Sequence, residues 1–410
     1  MNHQKKASIF SLTVVVAALG YFVDIYDLLI FGIIRIPSLK ELGLTADEIT
    51  TKGEWILSAQ MAGLLIGGIL WGIWGDKKGR VKVLFGSILI YSIANICNGF
   101  VQNITQYTAI RFFAGIGLAG ELGAGITLVA ELLPKEKRGI GTSIVAGFGV
   151  LGAAVAFLIK EEFHWRTCYF IGGGLGILLL LLRISVLESG MYHRMSETSV
   201  KKGQFSMLFN NRERFGKYLK SIFIGLPTWF VIGVLITFSS EFGKQFGIRE
   251  EIDPGRSIMY AYIGLAIGDI AIGLVSQWLK SRKKALYIYY GLTILSIILY
   301  FTTQWNGSAG WMYTLCFVLG FSIGFWAIFV TVGAEQFGTN LRATAATTVP
   351  NFVRGLLPLI LFLFKEIRGI QGIGYVNGAV ITAVIVMLVS SVAVLTLPET
   401  FHKDLNYEEA

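Results

Sequence analysis

The sequence predicts an all-α membrane protein of twelve transmembrane helices, arranged as two pseudo-symmetric six-helix bundles. Three observations carry that prediction. Of the 410 residues, 54% are hydrophobic and 15% charged, and the mean hydropathy is +0.64, too apolar for a water-soluble chain of this length. Hydropathy separates about twelve apolar runs of membrane-crossing length, which takes roughly 20 residues. The longest polar break, from about Glu188 to Lys217, falls after the sixth run.

In chain order, the runs lie near 9–36, 54–74, 83–102, 106–131, 140–160, 166–187, 218–242, 257–279, 285–304, 308–334, 342–364 and 374–397. This gives a first bundle over 1–187, a central loop over 188–217, a second bundle over 218–397 and a tail over 398–410. The first run is too long for a cleavable leader and contains two acids. One set of loops carries most of the cations: Lys5, Lys6, Lys77, Lys78, Arg80, Lys82, Lys135, Lys137, Arg138, the central loop, Lys280, Arg282, Lys283 and Lys284. The other set holds only a few, such as Lys40, Lys52, Lys244, Arg249 and Arg256, mixed with acids. Both termini are therefore expected in the cytoplasm, with the chain multi-pass in an inner or plasma membrane. These loops account for the net charge of +9 without nucleic acid as a partner.

Cys97, Cys168 and Cys316 all fall inside apolar runs, which argues against a disulfide framework. The four histidines sit at or beyond run ends, so none is expected to titrate at membrane depth. Motifs for metal, haem or dinucleotide are absent, and no nucleophile–base–acid spacing points to an enzyme. No cofactor is expected. The lipid bilayer is the partner this composition implies, and the monomer is the expected working unit.

An internal repeat supports the two-bundle division. Gly63, Gly67 and Gly72 of run two recur at the same spacing as Gly264, Gly268 and Gly273 of run eight. Ala130-Glu131 with Arg138 recurs as Ala334-Glu335 with Arg342. The offsets, 201 and 204 residues, fit duplication of a six-helix unit. Parallel halves about a midplane cavity are a transporter geometry.

After run two comes Gly72-Ile73-Trp74-Gly75-Asp76-Lys77-Lys78-Gly79-Arg80. It resembles the loop motif of the major facilitator superfamily, departing from it where Val81 replaces a basic residue. The resemblance implies that Asp76 caps a helix N-terminus across the interface between halves, where negative charge is favoured. It also implies that Arg80 pairs with an acid, with Glu131 the candidate. Together with Arg138, these residues would latch one conformation. The equivalent second-half loop, Gln277 to Lys284, has lost the Asp and the Gly and is expected to be a weaker latch. Run four, from Arg111 through Gly115, Gly117, Gly120, Glu121, Gly123 and Gly125, resembles the metabolite:proton symporters of that superfamily. Asp24-Ile25-Tyr26-Asp27 followed by Gly32 resembles the Asp-Gly-x-Asp signature of aromatic-acid:proton symporters, with Ile25 where that family has Gly. Leu187-Glu188-Ser189 and Leu397-Pro398-Glu399-Thr400 are similar to segments that symporters, sugar porters and organic-ion carriers share.

Charges at membrane depth cost several kcal/mol unless they face a partner or a wet cavity. Asp24 lies near mid-depth of run one and Asp27 about a turn further out, level with Arg111 of run four. Asp27, Asp24 and Glu121 are the proton-coupling candidates, Asp27 foremost, with Arg111 as its gating partner. A static pair is the bland reading of Asp27 with Arg111, and a fixed interhelical bond that of Glu121. Asp269 and Arg354 both fall near mid-span and either pair with each other or meet substrate. An Arg fork suits a carboxylate. Tyr26 and Trp229 are further substrate candidates, and Arg183 is read as structural. The expected function is proton-coupled symport of a small organic anion, a carboxylate metabolite, by alternating access. The alternatives are a sugar or polyol proton symporter, or a metabolite or metal facilitator or antiporter of the same fold.

Overall fold

The computed structural model describes residues 12–78, 80–121, 135–188, 205–303 and 307–401, which contain helices and no strand. Helices Leu12–Glu41, Ala46–Lys78, Arg80–Asn98, Ile104–Leu118, Lys135–Glu162 and Trp165–Glu188 occupy the first six predicted spans. Spans eight, nine and twelve are the continuous helices Pro254–Leu279, Arg282–Thr302 and Gly374–Thr396. Nine helices among the described residues are long and apolar enough to cross a membrane. Polarity is distributed as a bilayer requires. Trp278 and Leu274 are 81% and 69% exposed, whereas Arg35, Arg111 and Arg354 are at most 1% exposed.

Spans seven, ten and eleven are broken. Span seven runs as Arg212–Ile224, Leu226–Phe230, a π-helical segment Val231–Ile236 and Ser239–Gln245. Pro227 has no N–H to continue the first piece. Thr237 steadies the π segment, its N–H and hydroxyl both donating to the Ile232 carbonyl at 3.0 and 2.7 Å. Span ten divides into Ala309–Ser322 and Trp326–Glu335, and span eleven into Thr339–Gly355 and Leu357–Gly369. In span eleven Pro358 cannot donate to the carbonyl of Arg354, so the chain turns just beyond that residue. Such interruptions are confined to places that neighbouring helices or a cavity can satisfy.

The glycine repeat is used for close packing. A Cβ on Gly63 or Gly67 would collide with the backbone carbonyls of Phe112 and Ile116 in span four. One on Gly264 or Gly268 would collide with those of Phe317 and Phe321 in span ten. Small residues thus bring spans two and four, and spans eight and ten, into backbone contact. Gly273 faces open space, so the third position of the repeat has no such role. Between the halves, span two packs on span eleven, span five on span eight and span one on span eight.

Just past span twelve, Glu399 closes the start of span nine. It accepts from the backbone N–H groups of Arg282 and Lys283 at 3.0 and 3.2 Å and from the Ser281 hydroxyl. Thr400 then donates to Glu335 at 2.6 Å, and Arg282 pairs with Glu335 at 3.6 Å. The second-half loop that lacks the Asp-and-Gly motif is therefore tied down from the chain's end. Partial burial raises the Glu399 carboxyl, but the bonds from Ser281 and from the N–H groups of Phe401, Lys283 and Thr400 outweigh it, holding the group at about 2 against an ordinary 4.5. A depressed carboxylate stabilises the fold above its ordinary value and loses that contribution as pH falls toward the folded one. Glu399→Gln is expected to lower stability at pH 7 by about 1 kcal/mol, the usual worth of a helix cap. The gap to the parent should close as thermal melts are taken from pH 5 down toward 2.

Candidate functional site

Each residue of a helix advances the side chain by 100°, so Asp24 and Asp27 point about 60° apart and reach different neighbours. Asp24 faces the second half. Its Oδ2 lies 3.8 Å from Nη1 of Arg354, with both side chains at most 1% exposed. Arg354 is held at the last turn before the Pro358 break, between two indoles. Its guanidinium sits 5.9 Å from the Trp229 ring centroid and 5.8 Å from that of Trp326. The two rings stand edge to face, 6.5 Å apart. The breaks in spans seven and ten place both indoles here, Trp229 following Pro227 and Trp326 opening the second helix of span ten.

The cluster is incompletely satisfied. Among the described residues, neither oxygen of Asp24 makes a hydrogen bond, nor do Nε and Nη1 of Arg354 or Nε1 of Trp229. Buried polar atoms in folded proteins almost always find partners. A loose pair of opposite charges between the halves, bordered by aromatic faces, therefore marks a place for a polar occupant. A planar carboxylate on the guanidinium with its body against an indole would satisfy both kinds of surface.

Asp27 turns into the first half. Asn95 of span three donates to its Oδ1. Arg111 donates from Nη1 to the Asn95 side-chain oxygen at 3.2 Å, from Nη2 to the Asp27 backbone carbonyl at 2.9 Å and from Nε to Gln60 at 3.2 Å. Gln60 in turn donates to the Leu28 carbonyl at 3.0 Å. Asp27 and Arg111 are thus neighbours, as their matched depth predicts, but the Asn95 amide stands between the two charges.

Glu121 is gripped by both terminal nitrogens of Arg183, a buried fork inside the first half. Gly20 makes room for it, since a Cβ there would run into both side chains. Tyr26, two residues and 200° from Asp24 on the helix, sends its hydroxyl to the Cys168 carbonyl at 2.8 Å, away from Arg354. Asp269 pairs with the backbone instead of with Arg354. It accepts from the Ala327 N–H at 3.0 Å and so caps the second helix of span ten, where negative charge is favoured. Glu131 and the side chains of Asp76, Arg80 and Arg138 lie outside the described residues.

The sequence reading gave no weight to Asn95 or Gln60. The signal was present: an amide inside an apolar run has the same need of a partner as an acid, to a lesser degree. Trp326 carries no mark in the sequence that sets it apart from other aromatics of the apolar runs, because the break before it is what turns it onto Arg354.

The profile described as Major Facilitator Superfamily matches residues 17–361. A probable 4-methylmuconolactone transporter of Cupriavidus pinatubonensis is 26% identical over 79% of this chain and 76% of its own length. The gentisate transporter of Corynebacterium glutamicum is 24% identical over 62% of this chain and 61% of its length. A niacin transporter of Acinetobacter baylyi is 33% identical over 43% of this chain, but the match spans only 40% of that relative. Among solved structures, a D-xylose-proton symporter superposes with a TM-score of 0.70 at 16% identity, covering 97% of this chain and all of that one.

Proposed function

The chain belongs to the major facilitator superfamily, and we propose that it is a secondary transporter coupling inward movement of a proton to that of a small aromatic or otherwise planar carboxylate. The halves 1–187 and 218–397 would rock about the Asp24–Arg354 pair, in a cell membrane with both termini cytoplasmic and the monomer as the working unit. The observation that carries this reading is the unsatisfied Asp24–Arg354 pair between Trp229 and Trp326. The relatives that transport gentisate, niacin and 4-methylmuconolactone by name support the substrate class.

The coupling logic follows from one cation and two anions. Charged Asp24 neutralises Arg354 and competes with an incoming carboxylate. A proton taken from the outer solution onto Asp24 removes that competitor, and Arg354 becomes free for the substrate. With both bound, the buried site carries no excess charge, so the halves can close over it. Release of the substrate and the proton to the other side lets Asp24 return to Arg354. Asp27, held by Asn95, keeps the first half in register with this exchange, and Arg111 fixes span one through its backbone.

The test is uptake into proteoliposomes of radiolabelled benzoate, nicotinate and gentisate, with and without an inward proton gradient. Gradient-dependent accumulation of at least one is the expected result. Accumulation of neutral sugars alone, or uptake of the acids indifferent to the gradient, would overturn the proposal.

A further inference from the structure

The transport reading places one arginine at the centre of the site, yet span one carries a second buried arginine on the same face. Arg35 follows Asp24 by eleven residues, about three full turns and roughly 16 Å along the axis. It is fully buried and forked onto Glu241 of span seven at 2.7 and 3.0 Å. Thr50 and Ser240 also donate to Glu241, at 3.2 and 2.6 Å. Gly53 of span two leaves the room Arg35 needs, because a Cβ there would press on its side chain.

Along span one between the two arginines lies a small cavity of about 10 Å³, the size of one water, which neither guanidinium lines. Its wall includes Leu28 and Gly32, the intervening residues on that face of span one, with Leu57, Met61, Trp229 and Ile258. Thr237 also lines it, and its carbonyl accepts from Arg35 at 3.3 Å. The sequence of features along span one is therefore cation, apolar wall, then Arg354 with its indoles. Each arginine holds a carboxylate supplied by the protein: Arg354 that of Asp24, Arg35 that of Glu241. Both pairs join the first half to the second.

The same end of the bundle, away from the termini, is held by two more pairs between halves. Arg368 forks onto Glu54 at 2.6 and 3.0 Å, and Lys160 meets Asp253 at 2.5 Å. When the halves part at this end, span one leaves span seven and Glu241 leaves Arg35. The guanidinium would then front the gap between the halves without its partner.

The geometry points to Arg35 as an outer docking residue for the substrate's carboxylate, with Glu241 as the stand-in that occupies it while the outer end is closed. Resting on the transport reading, this adds a second anion subsite through which the carboxylate passes before reaching Arg354. The carboxylate bound there also opposes re-pairing with Glu241 until it has moved inward.

A simple latch and a docking site differ in how single variants behave. In a latch, Arg35 and Glu241 are equivalent, and losing either has the same consequence. In a docking site, Arg35→Gln removes the anion's partner, whereas Glu241→Gln removes only its competitor. Outer-side KM for radiolabelled benzoate is measured with the full-length protein in proteoliposomes. Arg35→Gln should raise KM about tenfold, equivalent to about 1.4 kcal/mol of binding. Arg35→Lys should recover part of this, and Glu241→Gln, which removes the competing carboxylate, should lower KM. Equal shifts in Arg35→Gln and Glu241→Gln would overturn the inference. Should the single variants fail to fold, the charge-neutral double variant Arg35→Gln/Glu241→Gln decides: a KM raised about tenfold supports docking, and an unchanged KM overturns it. Wild-type protein that takes up neither benzoate nor nicotinate would remove the transport reading itself, a failure distinct from equal shifts.

Discussion

Arg354→Gln is expected to weaken binding of benzoate by a factor between about 30 and 5,000. Removing one partner of a buried, hydrogen-bonded charge pair costs about 2–5 kcal/mol, and each 1.4 kcal/mol is tenfold. Glutamine retains a donor and much of the length of arginine but neither the charge nor the fork. Arg354→Lys should recover only part of the affinity, because a single ammonium cannot present two parallel donors to a carboxylate between indoles placed 5.9 and 5.8 Å from the guanidinium. The measurement is a titration on purified protein, by calorimetry or by the ligand-induced rise in melting temperature. Arg354→Gln alone also leaves Asp24 buried without its cation, which repels an anion on its own account. The double variant Arg354→Gln/Asp24→Asn separates the two effects: its remaining deficit measures the arginine. Unchanged affinity in the double variant would remove Arg354 from the substrate site.

Much of this architecture is legible in the sequence because a bilayer makes hydropathy informative. Helix positions and the glycine repeat follow from length, depth and backbone approach, all of which are local or periodic. Gly63 and Gly67 do for span two what Gly264 and Gly268 do for span eight. The pairing of charges is another matter. Depth puts Asp24, Asp269 and Arg354 near the middle of the membrane and Asp27 with Arg111 about a turn further out, but says nothing of how far each helix is rotated. A rotation of 60° separates Asp24, which meets Arg354 of the other half, from Asp27, which meets Asn95 of its own. Asp269 could not be read as a cap, because the end it caps exists only through the break before Trp326. Pro227 and Pro358 stand at two of the three breaks, but Pro37 and Pro350 lie inside unbroken helices, so proline alone does not locate a break, and the third, at Gly324, is packed against Gly268. Arg35 and Glu241 lie near span ends, where a long side chain usually reaches water. Their pairing, with Arg35 fully buried and Glu241 nearly so, depends on the two halves closing at that end.

Asp24→Asn is expected to abolish gradient-driven accumulation while leaving exchange of labelled for unlabelled benzoate intact. Asparagine resembles the protonated aspartate in shape and in lacking charge, so the variant is held in the state that admits substrate. Arg354 then has no competing anion at any pH. Benzoate affinity should match or exceed that of the parent and lose its dependence on pH, since no proton is needed to free the cation. Accumulation fails for the same reason: without a group that must take up and give back a proton in each cycle, the gradient does no work. A buried arginine left without its counter-ion costs about 3–5 kcal/mol, so the empty variant should melt below the parent. Benzoate, by restoring an anion to Arg354, should raise its melting temperature more than it raises the parent's. Asp27→Asn is the comparison. Its carboxylate is bonded to Asn95 within the first half and has no contact with Arg354. That variant should slow uptake yet still concentrate benzoate. Accumulation surviving in Asp24→Asn and lost in Asp27→Asn would move the coupling proton to Asp27 and leave the Asp24–Arg354 pair as a structural link between the halves.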